Sequence, residues 1–353
     1  MITELMNGFD VVGGSGRTMK NLAVFGAGRI GGVHARNAAE LPDVNVRYIV
    51  DPVESDARAT LARALDAQIV STEAVFADGS IDGVVIASST DTHADLLLTA
   101  AKAGLAIFCE KPVSLDFHTT EKVAKVVEAS GVPCLLAFQR RYDPDFRFVR
   151  ERIASGEAGD LEHVVMHTRD PAPPPRSYIE RSGGMFRDQA IHDFDMARYI
   201  LGEEIATVYA VGDCMIDPEI GAAGDIDTAM VTLISVSGRF VQMVNCRRGP
   251  FGYDQRLEAL CSREVLYVEN RPQRGVTIGD GTGFRASPPM NYFIERFSTA
   301  YRAEMAGFID HLNGGPPPLA GIRDGLEAQR IAEAALLSVK SGQPVNIGAD
   351  WRP

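Results

Sequence analysis

Glu110-Lys111-Pro112 is the stretch of this chain best suited to do chemistry. It follows the strand-like run Ala106-Ile-Phe-Cys109 and lies about eighty residues beyond a glycine-rich loop, Gly26-Ala-Gly28-Arg29-Ile30-Gly31. Proline fixes its own φ and restricts the residue before it, so Lys111 leaves the strand in a defined place. A cation held at the carboxyl edge of a parallel sheet, where doubly wound folds bind ligands, suits chemistry on an oxygen atom. A second group lies downstream, where Asp188 and His192 stand four residues apart at the start of an expected helix running to Gly202. On one helical face such a pair can act as general base and orienting partner, and histidine suits proton transfer near neutral pH. The alternative reading makes Asp188 a helix cap and His192 an ordinary surface residue. A divalent metal on Asp188, His192, Asp193 and Asp195 is disfavoured, because successive helical positions point apart and no cysteine or further histidine has suitable spacing.

These groups need a frame. Leu22-Ala-Val-Phe25 is a short buried-strand pattern, the glycine loop follows at once, and Ile30 to Leu41 reads as a helix. That order is the one a dinucleotide fingerprint requires. Gly26 would permit the tight turn, Gly28 would admit a pyrophosphate, and Gly31 would let the helix pack on the strand, with Arg29 and Ile30 in the same loop. Asp51 ends the next strand, twenty residues past Gly31. A carboxylate there accepts ribose hydroxyls and repels a 2′-phosphate, so NAD is expected over NADP; a strand-end turn residue is the plainer reading. Further strand–helix units extend to Phe138 and imply a parallel sheet with right-handed crossovers. Ser88, Thr90 and His93, at a strand end, are candidates for lining the nicotinamide side along with Glu110, although capping of a helix from Thr92 explains the hydroxyls equally well. A nicotinamide-dependent dehydrogenase accounts for these features together.

The second half has a different rhythm. Strands with period-two alternation are expected at His163–Arg169, Thr207–Asp213, Thr228–Ser237, Phe240–Arg247, Arg256–Cys261 and Glu264–Glu269, with a hairpin turn at Ser237-Gly-Arg239. Two late helices, Tyr292–Leu312 and Ile322–Ser341, complete it, the first carrying a core stripe of Phe293, Phe297, Met305, Phe308 and Leu312. The expected fold is therefore α/β: an amino-terminal Rossmann domain over 19–139, and an α+β domain over 140–353 with an open, mostly antiparallel sheet. Residues 1–18 read as a disordered extension before Met19.

Bulk properties exclude several classes. The 353 residues carry 45% hydrophobic and 23% charged side chains, an ordinary globular mixture with room for two domains. A net charge of −12 argues against nucleic acid and anionic membranes as partners. The apolar runs are too short to span a bilayer. Five cysteines without a Cys-x-x-Cys pair suggest neither a disulfide framework nor zinc, and a reducing cytoplasm suits them.

Taken together, Gly26–Gly31, Asp51, Glu110-Lys111-Pro112 and Asp188-x-x-x-His192 resemble the Gfo/Idh/MocA oxidoreductase family, from about Asn21 to the end of the chain. Longer strings, among them Arg140-Arg-Tyr-Asp-Pro144, Arg169-Asp-Pro-Ala-Pro-Pro-Pro175 and Gly252-Tyr-Asp-Gln-Arg256, are similar to its polyol-oxidising branch. The resemblance implies that Lys111 and His192 are the catalytic pair with Asp188 assisting, and that the substrate is a cyclic polyol. Arg141, Asp170 and Tyr253 are further expectations for reading its hydroxyls. Gln189 stands where the resemblance leads one to expect methionine. A dinucleotide-sensing regulator on the same fold is the alternative from another class. An open sheet face in the second domain suggests pairing into a homodimer or homotetramer.

Overall fold

The computed structural model describes residues 18–348 and 350–353, so the extension expected before Met19 lies, but for its last residue, outside the described residues. The first sheet comprises β1 (Lys20–Phe25), β2 (Val44–Val50), β3 (Gln68–Ile69), β4 (Gly83–Ile86), β5 (Ala106–Glu110) and β6 (Cys134–Ala137). All pairings are parallel and the order is β3-β2-β1-β4-β5-β6, the doubly wound arrangement. Strands β4 and β5 are buried along their whole length, which is why they read as unbroken apolar runs rather than as alternation. The crossovers are α1 (Arg29–Ala39), α2 (Asp56–Ala64), α3 (Thr72–Ala77), α4 (Thr90–Ala103) and α5 (Phe117–Ser130). Asp116 starts α5 by accepting the Thr119 N–H at 2.7 Å, a cap that contributes about 1 kcal/mol.

A 3-10 turn (Gln139–Tyr142) leads into α6 (Pro144–Ala154) and the second sheet. There the chain forms β7 (Leu161–Arg169), α7 (Arg176–Ser182), α8 (Met185–Asp188), α9 (Ile191–Leu201), β8 (Ile205–Asp213), α10 (Pro218–Ala222), β9 (Thr228–Ser235), β10 (Phe240–Cys246), β11 (Asp254–Cys261) and β12 (Val265–Val268). A separate hairpin, β13 (Thr277–Asp280) with β14 (Gly283–Ala286), precedes α11 (Phe293–Arg296), α12 (Ser298–Leu312), α13 (Ile322–Ser341) and β15 (Val345–Asn346). The second sheet has the order β12-β11-β7-β10-β9-β8-β15, antiparallel throughout except for the parallel pair β7 and β10.

One face of this sheet is covered: Val164, Met166, Val208, Val231, Leu233, Val241 and Met243 are buried beneath α9 and α13. Ala190, which caps α9, and Phe194, Ala197 and Leu201 along it are buried, a large apolar side chain there stabilising the fold by about 1.5–3 kcal/mol. The other face exposes Tyr209, Val211, Met230, Phe240 and Tyr267. Helices α12 and α13 also reach back to the first domain, packing on α1 and α5 respectively.

Two helix expectations are corrected. Asp188 does not open a helix to Gly202; it closes α8, and the chain breaks at Gln189-Ala190 before α9 begins. The Ala190 N–H turns back to Met185 O at 3.0 Å, and the ladder restarts with Asp193 N–H on Ala190 O at 2.9 Å. The helix expected from Tyr292 is likewise split at Phe297, which with Met305 and Phe308 is buried, while Phe293 and Leu312 are only partly so.

Candidate active site

Strand β1 runs straight into Gly26, whose φ of +99° and proximity to the Ala87 carbonyl leave no room for a side chain; one on Gly31 would collide with the Gly26 carbonyl. Gly28 differs, since none of the described residues lies within 4 Å of where its Cβ would be, chain neighbours and its own helix aside. It caps α1, whose first turn carries neither an acidic residue nor a side-chain cap, so free N–H groups there suit a pyrophosphate. At the end of β2, Asp51 accepts the Ala27 N–H at 2.7 Å through Oδ2 and the Val53 N–H at 2.9 Å through Oδ1. It borders a cavity of about 500 Å³ with Pro52, Ser71, Thr72 and Glu73. These features fit the adenosine and diphosphate parts of NAD.

A larger cavity, about 910 Å³, lies where the carboxyl edge of the first sheet meets one edge of the second. Arg29, Ile30, Ser88, Thr90, His93, Glu110 and Lys111 line it from the first domain, and Asp170, Asp188, His192 and Tyr253 from the second. The parallel pairing of β7 with β10 explains Asp170 and Tyr253, while Asp188 and His192 come from α8 and α9. Both strands end at the same edge, delivering Asp170 beside Arg247, and antiparallel β11 starts there, adding Tyr253.

Lys111 follows β5 across a cis peptide to Pro112. Its ammonium donates to the Asp188 carbonyl at 2.7 Å and lies 3.5 Å from the Asp188 carboxylate. That carboxylate also accepts the Tyr178 hydroxyl at 2.8 Å and stands 3.6 Å from the Arg247 guanidinium. Asp188 is thus tied to Lys111, Tyr178 and Arg247, not to His192. The His192 ring packs edge-on against Phe138, and its buried Nδ1 has no hydrogen-bond partner among the described residues. Burial, with Lys111 and Arg140 nearby, holds its pKa well below the ordinary histidine value. The expected titration near neutrality is corrected accordingly: this imidazole stays neutral there.

Glu110 braces the turn. It contacts His34 Nε2 at 2.7 Å and accepts the Lys111 N–H at 3.2 Å. His93 spans the ends of β4 and β5, with Nδ1 at 2.8 Å from the Pro112 carbonyl and Nε2 at 3.1 Å from that of Ser88. Ser88 Oγ meets Thr92 Oγ1 at 2.6 Å, and α4 starts at Thr90 without a side-chain cap. Capping is therefore not what the hydroxyls at 88 and 90 do.

Asp170 accepts Gln189 Nε2 at 2.6 Å, and burial pushes its pKa up to about 6. Tyr253 is buried, which raises its phenol above the usual range.

Arg141 is a correction. It does not line the cavity but forms a buried fork with Asp195, at 2.9 and 2.6 Å, and a further bond to Asp324 at 2.8 Å on α13. Adjacent positions of the 3-10 turn project apart, so it is Arg140 that reaches the cavity wall, bonded to Asp193 at 2.5 Å. Asp193 and Asp195 are each engaged by an arginine and do not converge on His192. Tyr178, Arg140, Arg247 and Tyr292 were not anticipated. The proline-rich run after Asp170 was the only sequence signal near Tyr178, and the end of an alternating strand the only one for Arg247.

Comparison with known proteins agrees with this architecture. Residues 20–138 match the model of an oxidoreductase family with an NAD-binding Rossmann fold, and residues 146–267 match the GFO/IDH/MocA C-terminal domain. An inositol 2-dehydrogenase of Rhizobium meliloti (strain 1021) is 40% identical over 324 residues, covering 92% of this chain and 98% of the relative. The crystal structure of a myo-inositol dehydrogenase from Corynebacterium glutamicum ATCC 13032 superposes with a TM-score of 0.89 at 39% identity, covering 94% of this chain and 99% of that one. A scyllo-inositol dehydrogenase from Lactobacillus casei, solved with NAD(H) and scyllo-inositol, gives 0.86 at 26% identity over 93% and 99%. With both family models matched and a relative 40% identical over 92% of its length, the chain belongs to the Gfo/Idh/MocA oxidoreductases.

Proposed function

We propose that this protein oxidises a secondary hydroxyl of a cyclic polyol, converting myo-inositol to 2-keto-myo-inositol (scyllo-inosose) at the expense of NAD⁺. The observation that carries this reading is the convergence of Lys111, Asp188 and His192 on one cavity wall beside the glycine loop. The remaining wall is rich in hydrogen-bonding groups, as a ligand with hydroxyls all around requires.

The cofactor, when bound, accepts hydride from the carbon that bears the hydroxyl. His192, held neutral by its surroundings, takes the hydroxyl proton. Lys111 places a positive charge where the alkoxide develops, and Asp188 holds that ammonium in position. Asp170 and Tyr253 present acceptor and hydroxyl groups to the rest of the ring. Reduction of NAD⁺ by myo-inositol, followed by absorbance of the reduced cofactor against NADP⁺ and glucose controls, tests the proposal. Binding of NAD without turnover of any polyol would instead favour a sensor.

A second reading, oxidation of scyllo-inositol, is supported by a Bacillus subtilis relative, a scyllo-inositol 2-dehydrogenase (NAD(+)), 33% identical over 92% of this chain and 95% of the relative. A two-epimer substrate comparison separates the readings. The half-apolar outer face of the second sheet supports assembly as a homodimer or homotetramer. Five free cysteines suit a cytoplasmic location, and among the described residues no helix is long and apolar enough to cross a membrane.

A further inference from the structure

The break between α8 and α9 places Gln189 under the polyol cavity. Its Nε2 donates to Asp170 Oδ2 at 2.6 Å and to the Cys246 carbonyl at 3.2 Å. The same carbonyl receives the Asp170 N–H at 3.0 Å, so one amide ties the carboxylate to the end of β10 while the backbone ties its main chain there. Both neighbours of Nε2 are acceptors. Exchanging the amide oxygen and nitrogen would set oxygen against carboxylate, which fixes the orientation of the group. Among the described residues Gln189 Oε1 is buried without a partner, so the side chain forgoes one hydrogen bond to make these two.

We propose that Gln189 is a specificity-determining positioning residue: its amide holds the Asp170 carboxylate in one orientation, leaving Oδ1 to accept one hydroxyl of the bound polyol. This rests on the polyol reading above and goes beyond it, because a residue that need not touch substrate then selects which ring hydroxyl is recognised. An apolar side chain of similar length fills the space but cannot donate, and frees the carboxylate to rotate.

The electrostatics follow the geometry. Asp170 is faced by Arg247 at the end of β10, Arg140 on the 3-10 turn, Asp188 at the end of α8, Tyr253 before β11 and Tyr292 before α11. Burial raises its pKa to about 6, Asp188 adds to that, and Arg247, the Gln189 bond and Arg140 oppose it. A donor on the ionised form favours that form, so loss of Gln189 moves the Asp170 pKa further up. The ionised acceptor is then present only at higher pH.

The test compares wild type, Q189L, D170N and the double variant by two readouts. The first is a carbon-13 carboxyl NMR titration of the protein without substrate, with Asp170 identified by the signal missing in D170N. Q189L is expected to shift that titration upward by about half a pH unit or more, the size of effect one hydrogen bond to a carboxylate has. The second is the pH profile of kcat/KM for myo-inositol. Its acid limb should move by the same amount in Q189L, with KM raised by about tenfold near pH 6, kcat held within about threefold, and discrimination between myo- and scyllo-inositol reduced. In the D170N background Q189L should change none of these. Q189N, whose shorter amide cannot span the gap, is expected to behave like Q189L and serves if Q189L fails to fold. An Asp170 titration unmoved in a folded variant overturns the proposal, whatever the enzyme turns over. A wild type that oxidises no polyol overturns the functional reading instead, while a shifted titration still upholds the clamp.

Discussion

Lys111 meets Asp188 twice, donating from Nζ to its backbone carbonyl at 2.7 Å and lying 3.5 Å from its carboxylate. The two residues belong to different domains, so this contact joins the halves of the site and aims the ammonium. Lys111→Ala is expected to lower kcat by at least ~100-fold, as loss of a preorganised charge does. Steady-state rates at saturating NAD⁺ and polyol check this, and near-normal turnover would remove Lys111 from the chemistry.

The pH dependence should belong to Asp170 rather than to His192. Burial, with Lys111 and Arg140 nearby, holds the imidazole pKa well below its ordinary value, so its base form is already present at neutral pH. Asp170, pushed up to about 6, ionises close to that pH. Activity should therefore rise with pH through about 6. Asp170→Asn should flatten this limb, whereas His192→Ala should lose ~100-fold or more in rate yet keep the limb in its residual activity.

Asp51 has both oxygens on backbone N–H groups of the glycine loop and its own turn. Asp51→Ala should raise the ratio of kcat/KM for NADP⁺ over NAD⁺ by at least ~10-fold, about 1.4 kcal/mol, and also raise KM for NAD⁺. An unchanged cofactor ratio would refute the ribose role.

Arg141 should matter for folding alone. Arg141→Ala strands the buried Asp195 carboxylate, a loss of about 3–5 kcal/mol. Thermal unfolding should show a large fall in Tm, while kcat/KM per folded molecule stays within about threefold of wild type.

Glu304 on α12 is fully buried with neither oxygen bonded among the described residues, and burial, reinforced by Glu110 and Asp195, raises its pKa well above the usual carboxylate value. The native state thus holds a proton there that the unfolded state releases above about pH 4.3. Between those two pKa values wild-type stability falls as pH rises, by about 1.4 kcal/mol per unit. Glu304→Gln removes this term, so its Tm advantage over wild type should grow from pH 5 to pH 8. A constant difference would show that the carboxyl is already ionised in the fold.

Much of the frame was legible because its signals are local. Strand, glycine loop and helix follow one another at Leu22–Leu41, and the alternation from Thr228 to Arg247 marks β9, a turn at Gly238 and β10. What was hidden depends on tertiary context. Gln189-Ala190 contains no glycine or proline, so nothing local announces the break that separates Asp188 from His192. Arg140 and Arg141 are chemically alike, and only the 3-10 turn sends one to the cavity and the other to Asp195. The parallel pairing of β7 with β10 joins segments about seventy residues apart, and with it the adjacency of Asp170 and Arg247. Strands β13 and β14 are exposed at every position, which removes the alternation by which a strand is recognised.

The return of α12 and α13 to the first domain has a consequence for biosynthesis. Strand β6 is the edge of the first sheet, and its Leu136 N–H is bonded to the Ala320 carbonyl at 3.2 Å, just ahead of α13. Helix α13 then covers α5 and β6, and α12 covers α1. During synthesis the first domain is made about 170–200 residues before these covers are complete, an interval of about 10–40 s at usual elongation rates. Through that interval the nascent chain carries an uncapped sheet edge and a bare apolar flank, the surfaces on which strand-to-strand aggregation starts. Chaperone demand should therefore fall on the ribosome-bound first half, and a fragment ending at residue 139 should be insoluble where the full chain is not.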